Sequence, residues 1–92
     1  MSEKLNSKKH VLITGAAGFV GFHTALRFLK EGCTVFGFDS ISDYYDVNLK
    51  LSRIEVLSQY EHFKFKKGNL EDDALVKDVV GKFRPNLVLH FA

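Results

Sequence analysis

One short stretch decides the fold of this chain, Thr14-Gly15-Ala16-Ala17-Gly18-Phe19-Val20-Gly21. It follows an apolar run, His10-Val11-Leu12-Ile13, and opens a segment with helical periodicity from Phe22 to Glu31. A strand, a glycine-rich turn and a helix in this order are the context in which a glycine motif becomes informative. The sequence therefore predicts a βα unit whose turn faces a phosphate group.

Each of the three glycines has a separate physical reason. Gly15 allows a tight turn out of the strand, Gly18 leaves room for a pyrophosphate, and Gly21 lets the helix pack closely on the sheet. The helix then offers unpaired N–H groups and the positive end of its dipole to the phosphates. The spacing is G-x-x-G-x-x-G rather than the common G-x-G-x-x-G, so three glycines that merely make a turn remain the alternative.

A carboxylate ends the next apolar run, Thr34-Val35-Phe36-Gly37-Phe38. This residue, Asp39, follows Gly21 by 18 positions, close to the separation of about 20 at which an acid binds an adenosine ribose. A carboxylate accepts hydrogen bonds from the ribose hydroxyls and repels a 2′-phosphate, which favours NAD over NADP. An ordinary turn residue at a strand end is the alternative.

Composition narrows the class of protein. The net charge of +2 is too small and too mixed to indicate nucleic acid or an anionic membrane, and the one basic cluster, Lys64-Phe65-Lys66-Lys67, alternates like a strand with a solvated face. No apolar run approaches the roughly 18 residues of a membrane span. The polar start has no signal core, so we predict a cytoplasmic protein. The single cysteine, Cys33, is expected to be buried, and the histidines show no metal-site spacing.

Strand and helix alternate along the whole chain, which predicts an α/β, Rossmann-type, doubly wound parallel sheet in strand order 3-2-1-4. We predict that residues 1–9 are a flexible lead-in and that residues 10–92 form the N-terminal portion of an NAD-binding domain. The cofactor crevice lies where the chain reverses, between the first and fourth strands. The later elements are predicted as a helix from near Asp46, a strand His62–Lys67, a helix capped by Asn69 and stopped by Pro85, and a strand Leu87–Phe91.

The helices are expected to bury one apolar face each, with Gly32 as a left-handed cap after the first. These faces comprise Phe22, Ala25, Leu26 and Leu29; then Val47, Leu51, Ile54 and Leu57; then Leu75, Val76, Val79, Val80 and Phe83. The fourth strand is almost wholly apolar and nothing follows to cover it. We therefore expect the natural domain to continue past Ala92, the alternatives being a self-contained half-domain or an oligomer that pairs these edges.

These residues resemble the extended short-chain dehydrogenase/reductase family, the NAD-dependent nucleotide-sugar epimerases and dehydratases. The resemblance covers nearly all of residues 9–92 and rests on four segments at matching intervals: the glycine stretch (T-G-x-x-G-[FY]-[IV]-G), Phe38-Asp39, Gly68-Asn69-Leu70 and His90-Phe91-Ala92. It implies an NAD cofactor bound by Gly15, Gly18, Phe19, Val20, Gly21, Asp39, Ser40, Asn69, Leu70, Phe91 and Ala92. It also implies a nucleotide-sugar substrate, bound through a later part of the protein, and allows a homodimer of the complete enzyme.

The loop after the second strand resembles the UDP-glucuronate 4-epimerase branch, which typically reads D-N-x-N-D-Y-Y-D-V-x-L-K. The chain has Asp39-Ser40-Ile41-Ser42-Asp43-Tyr44-Tyr45-Asp46-Val47-Asn48-Leu49-Lys50, followed by Arg53. The tyrosine pair is equally compatible with a packed loop that touches no ligand. Two positions depart from the family: Asn69 replaces an Asp that contacts adenine, and Ser40 replaces an Asn. Both keep hydrogen-bonding oxygens.

The family's chemistry needs a Tyr-x-x-x-Lys pair on a later helix. The string Tyr60-Glu61-His62-Phe63-Lys64 matches in letters only, because it runs from the end of a helix into a strand on the outer side of the sheet. We therefore predict no catalytic residue in these 92 residues. The resemblance implies the cofactor-binding portion of an epimerase; a dehydratase or decarboxylase of the same family and a non-catalytic dinucleotide-binding module are the alternatives.

Overall fold

The computed structural model describes residues 9–41, 47–68 and 71–91. Strands and helices alternate through these ranges: β1 (His10–Thr14), α1 (Phe19–Lys30), β2 (Thr34–Asp39), α2 (Val47–Ser58), β3 (Phe63–Lys67), α3 (Asp73–Phe83) and β4 (Leu87–His90). The strands pair in parallel, in the order β3-β2-β1-β4. The predicted Rossmann-type topology is confirmed, and the direction of winding reverses between β1 and β4.

Successive residues of β1 face two separate apolar layers, as expected for a strand buried on both sides. Val11 and Ile13 pack with α1 and α2 in a core whose fully buried members include Ala25 and Leu57. Leu12 points the other way and packs with Val79 of α3. Helices thus cover both faces of the sheet, which makes the fold doubly wound.

Helix α1 begins at Phe19, three residues before the start predicted from periodicity. The periodicity misses this first turn because Phe19 and Val20 are exposed, whereas the buried stripe starts beyond them. The predicted end is confirmed: Gly32 has a φ of 92°. The Gly32 N–H donates to the Leu29 carbonyl and the Cys33 N–H to the Phe28 carbonyl, both at 3.0 Å. These bonds form a Schellman motif.

Helix α3 begins later than predicted, and the predicted cap was wrong. Its N-cap is Asp72, whose Oδ1 accepts the Leu75 N–H at 3.1 Å. Asn69, the expected cap, lies outside the described residues and before the helix. An acid at the N-cap satisfies a first-turn donor directly, and Asp72 stands at the correct distance from Leu75 to do so.

Two of the helices bury fewer apolar residues than predicted. Val80 of α3 and Leu51 of α2 are 39% and 50% exposed, although both were expected to be buried. Val79 and Leu57, which point more directly at the sheet, are the fully covered positions of their helices. A helix on a four-stranded sheet has one contact line, so apolar residues at its margins stay in water.

Helix α3 covers one face of β1 and β2, but it leaves β4 exposed on that same face. Val88 pairs in register with Leu12 of β1, yet Val88 is 53% exposed and Leu12 only 5%. The difference arises because α3 packs over β1 and β2, while its core contacts do not reach β4.

Candidate functional site

The glycine turn folds back on the end of β2. Gly15 has a φ of 73°, a conformation that side chains disfavour, and its N–H donates to the Phe38 carbonyl at 2.8 Å. Gly18 closes the turn by donating its N–H to the Gly15 carbonyl at 3.0 Å. The tight turn predicted at Gly15 is therefore present, directly between β1 and α1.

The third glycine has a different neighbour from the one expected. A Cβ on Gly21 would lie 2.0 Å from the Gly15 carbonyl oxygen, so the close approach is between the helix and the turn rather than the sheet. A Cβ on Gly18 would meet only that same oxygen, at 3.3 Å, and otherwise open space. Inside the protein, a side chain at Gly18 would thus make a single tight contact, and the open space beside Gly18 is available to a ligand.

The N-terminus of α1 has the properties of an anion site. Its N-cap is Gly18, which provides no side-chain hydrogen bond, and the first turn holds no acidic residue. The N–H groups of a first turn have no partner inside the helix, so those of Phe19 and Val20 stay available for a ligand. Together with the helix dipole they suit a pyrophosphate, which is the fit that an NAD cofactor requires here.

The Asp39 carboxylate is buried and makes several contacts inside the protein, in addition to any that it makes with a ribose. Its carboxylate is 6% exposed and accepts two backbone hydrogen bonds, from Ala17 N–H to Oδ2 at 2.9 Å and from Ile41 N–H to Oδ1 at 2.7 Å. The Lys50 ammonium lies 3.9 Å from Oδ1. The acid therefore ties the glycine turn to the end of β2, while the exposed Ser40 follows it.

Besides Asp39, a second charged side chain contacts the turn: Arg53 of α2, a contact that was not predicted from the sequence. Arg53 donates from Nη1 to the Ala17 carbonyl at 3.0 Å, and its guanidinium carbon lies 5.9 Å from the centre of the Phe19 ring. The available signal was the spacing of Lys50 and Arg53, which puts both on one side of α2.

The carboxyl ends of β1 and β4 are joined beside this turn. The Thr14 hydroxyl lies 2.7 Å from His90 Nδ1, and it also accepts the Phe91 N–H at 3.1 Å. Phe91 is 42% exposed just past the end of β4. The switch point of the sheet thus brings Phe91, another residue predicted to bind the cofactor, to the strand that leads into Gly15.

Several predicted residues lie outside the described ranges: Asn69, Leu70 and Ala92 of the cofactor set, and Tyr44, Tyr45 and Asp46 of the loop before α2. Their neighbour Gly68 is placed. Its N–H donates to the Asp39 carbonyl at 3.0 Å, so the end of β3 stands beside the end of β2.

The rejected Tyr-x-x-x-Lys string is split between the two faces of the sheet. Tyr60 packs against the core beneath α1 and α2. Lys64 lines a groove of about 530 Å³ on the α3 side, with Lys66 and Lys82 as further basic residues and His10 and Thr34 at one end. Those two residues begin β1 and β2, whereas Lys66 pairs with Phe38 near the end of β2, so the groove runs along the α3 face of the sheet.

The remaining chemistry-bearing residues form no site in the described part of the chain. No cluster of three or more metal-ligating side chains occurs among those residues. Cys33 is fully buried, and burial raises the pKa of its thiol, with Glu31 adding to the effect and Lys9 opposing it. Within the same ranges, no helix has the length and apolar character needed to cross a membrane.

Known sequences resemble this chain over most of its length. A probable UDP-glucuronate 4-epimerase of Rhizobium meliloti is 43% identical over 81 residues, which are 88% of this chain and 24% of that protein. UDP-glucuronate 4-epimerase 6 of Arabidopsis thaliana is 43% identical over 82 residues, covering 89% of this chain and 18% of the relative. The chain thus spans about a quarter or less of these relatives' length.

Solved structures show the same architecture. The UDP-glucuronic acid 4-epimerase of Bacillus cereus, solved as a Y149F variant with UDP-4-deoxy-4-fluoro-glucuronic acid and NAD, aligns with a TM-score of 0.79 and 30% identity over 90% of this chain and 26% of that one. The Bordetella bronchiseptica enzyme WbmH, solved with NAD⁺, aligns with a TM-score of 0.75 and 32% identity over 91% of this chain and 26% of that one.

The family model described as GDP-mannose 4,6 dehydratase matches residues 12–92, which include the glycine turn, Asp39 and the switch point. With that match and the epimerase relatives, the chain belongs to this family of NAD-dependent nucleotide-sugar epimerases and dehydratases.

Proposed function

We propose that this chain is the NAD-binding portion of a nucleotide-sugar epimerase that acts on UDP-glucuronate. The observation that carries the proposal is the uncapped N-terminus of α1, which follows the glycine turn at the sheet's switch point. Phosphate binding there needs only backbone donors, and Gly18 leaves the approach to them open.

The remaining proposed contacts surround that pyrophosphate. Asp39 accepts from the adenosine ribose through oxygen lone pairs that its two backbone donors leave available, and it disfavours a 2′-phosphate. The residues assigned to the cofactor are Gly15, Gly18, Phe19, Val20, Gly21, Asp39, Ser40, Asn69, Leu70, Phe91 and Ala92. Asn69, Leu70 and Ala92 are assigned from the family resemblance alone.

The substrate assignment rests on the relatives. The relatives at 43% identity include a bacterial protein described as a probable UDP-glucuronate 4-epimerase and a plant UDP-glucuronate 4-epimerase. Bound NAD supplies reversible hydride transfer at the sugar C4, and the residues of this chain bind and orient it. The described residues hold no Tyr-Lys pair one helical turn apart, so the proposal assigns no proton-transferring role to them.

The cofactor role is tested by calorimetric titration of the natural full-length protein with NAD. Replacement of Gly18 by valine should abolish binding while leaving some of the fold, since its Cβ would make one tight contact in the protein, 3.3 Å from the Gly15 carbonyl oxygen. Gly81→Val is the matched control, because a Cβ at Gly81 meets nothing within 4 Å. Normal NAD binding by Gly18→Val would show that the turn does not receive the phosphates.

The reaction is tested separately, by incubating the same protein with UDP-glucuronate and NAD. An epimerase gives a product of unchanged mass with inverted configuration at C4, detected by NMR. Release of carbon dioxide would instead identify a decarboxylase. If NAD binds but UDP-glucuronate is returned unaltered, the cofactor role stands and the substrate assignment is wrong.

A further inference from the structure

The backbone of Ala17, in the middle of the glycine turn, is held from two sides by charged side chains. Its N–H donates to Asp39 Oδ2 at 2.9 Å, and its carbonyl accepts from Arg53 Nη1 at 3.0 Å. Ala17 is 0% exposed, so water is not a ready substitute for either partner. The two bonds come from different elements, one from the end of β2 and one from α2.

The Ala17 carbonyl controls the entry into α1. It shares one planar peptide group with the Gly18 N–H, which donates to the Gly15 carbonyl at 3.0 Å. Gly18 is in turn the N-cap, and its own carbonyl accepts the Phe22 N–H at 2.9 Å. A side chain that fixes this peptide plane therefore fixes the direction in which the next N–H groups, those of Phe19 and Val20, point.

Arg53 also contacts the first residue of the helix. Its guanidinium carbon lies 5.9 Å from the Phe19 ring centre. The Phe19 ring also contacts the His23 ring edge-on, with 4.6 Å between the ring centres. Phe19 is 67% exposed, so the sheet does not hold this ring in place. The guanidinium therefore spans the turn and the helix start, contacting both at once.

The positive charge of Arg53 has the same sign as the dipole end at the N-terminus of α1. The first turn of α1 contains no acidic residue, so the guanidinium adds to the positive potential of the helix N-terminus. The planar fork of its donors also holds a carbonyl in a defined direction better than an ammonium does. Both properties suit a side chain that prepares backbone donors for an anion.

We propose that Arg53 is a positioning residue for the cofactor pyrophosphate, acting through the Ala17 carbonyl and the Phe19 ring. The inference rests on the NAD binding proposed above. It goes further, because it assigns a role in cofactor affinity to Arg53, a residue of α2 that is not among the residues proposed to contact NAD.

The test compares Arg53→Met with Arg27→Met in the natural full-length protein. Methionine keeps the length and apolar stem of the side chain but removes the donor and the charge. Arg27 is the matched control, because its exposed side chain pairs with Glu31 on the outer face of α1. Titrations with NAD and with adenosine, which lacks the pyrophosphate, give the readout, and circular dichroism checks the fold.

Arg53→Met should bind NAD roughly tenfold more weakly, the effect of one charge-assisted hydrogen bond, while adenosine affinity and the control stay unchanged. Arg53→Lys, which keeps a charge and a donor, should recover part of the loss. NAD affinity within about twofold of wild type in Arg53→Met would overturn the role. An equal loss for both ligands would overturn it too, by showing a structural effect.

Two outcomes separate this inference from the proposal beneath it. If the wild-type protein binds no NAD, the proposed function fails, and Arg53 with it. If Arg53→Met does not fold, Arg53→Lys decides: a folded Arg53→Lys with weaker NAD and unchanged adenosine binding supports the role, and one with wild-type NAD binding refutes it.

Discussion

Replacing Asp39 should destabilise the protein before any cofactor is added. In Asp39→Ala, the N–H groups of Ala17 and Ile41 lose their acceptor at a buried position. An unsatisfied buried donor costs about 1–3 kcal/mol, so two such donors reduce the free energy of unfolding by about 2–6 kcal/mol. That is a large fraction of the 5–15 kcal/mol by which domains are typically stable.

Asparagine at the same position separates the two roles of the acid. Asp39→Asn keeps one oxygen, which can serve one of the two N–H groups, so the expected loss is about 1–3 kcal/mol. The amide also removes the negative charge 3.9 Å from the Lys50 ammonium, and with it the repulsion of a 2′-phosphate. NAD affinity should fall, and discrimination against NADP should relax.

Urea unfolding of the nucleotide-free protein measures the first effect, and titration with NAD and NADP measures the second at a temperature where each variant is folded. Asp78→Ala is the control: this acid forms an exposed pair with Lys82, and its loss should change stability by less than about 1 kcal/mol. If the free energy of unfolding of Asp39→Ala lies within about 0.5 kcal/mol of wild type, the carboxylate does not anchor the turn.

Three further predictions concern two residues, Gly21 and Cys33, whose surroundings are well defined. Gly21→Ala should lower the free energy of unfolding by at least about 1–3 kcal/mol, because its Cβ would overlap the Gly15 carbonyl at 2.0 Å; urea unfolding unchanged from wild type would show that the turn gives way without cost. Cys33 should react with iodoacetamide far more slowly in the folded than in the unfolded protein, because it is buried and its thiol pKa is raised above the ordinary 9.0. Its contribution to stability should be complete below that value and decline as the pH rises through the folded pKa, since the folded state then retains a proton that the unfolded state has lost; a wild-type alkaline unfolding profile in Cys33→Ala would contradict this.

The turn, the helix cap and the strand order were predictable because each follows from local chemistry. Gly15 and Gly32 adopt positive φ angles that few other residues accept, so their positions mark the turn and the helix end directly. The alternation of apolar runs gave the parallel sheet and its switch point. The cap of α3 was misplaced because Asn69 and Asp72 are both good N-cap residues, and only the three-dimensional path of the chain chooses between them.

The contacts that hold the site together were not predictable in the same way. Arg53 is 36 residues from Ala17 in sequence, and its spacing from Lys50 predicts only that the two lie on one side of α2, not that the guanidinium reaches that carbonyl. The structural role of Asp39 was not predicted for another reason. In the sequence analysis, a ribose ligand and a turn residue were alternatives, so a residue with both roles was not considered. The structure shows Asp39 anchoring the turn, which leaves the proposed ribose contact compatible with the anchoring instead of competing with it.

This overlap constrains how cofactor preference can change in such a fold. The charge that would repel a 2′-phosphate belongs to the same carboxylate that accepts the Ala17 N–H. A substitution that admits NADP by removing the acid therefore also loosens the turn proposed to bind its pyrophosphate. Arg53 still holds the Ala17 carbonyl in such a variant, so the turn keeps one of its two anchors. Asp39 and Arg53 should therefore be energetically coupled: the double variant loses more NAD affinity than the two single changes together, since only then is neither side of Ala17 held.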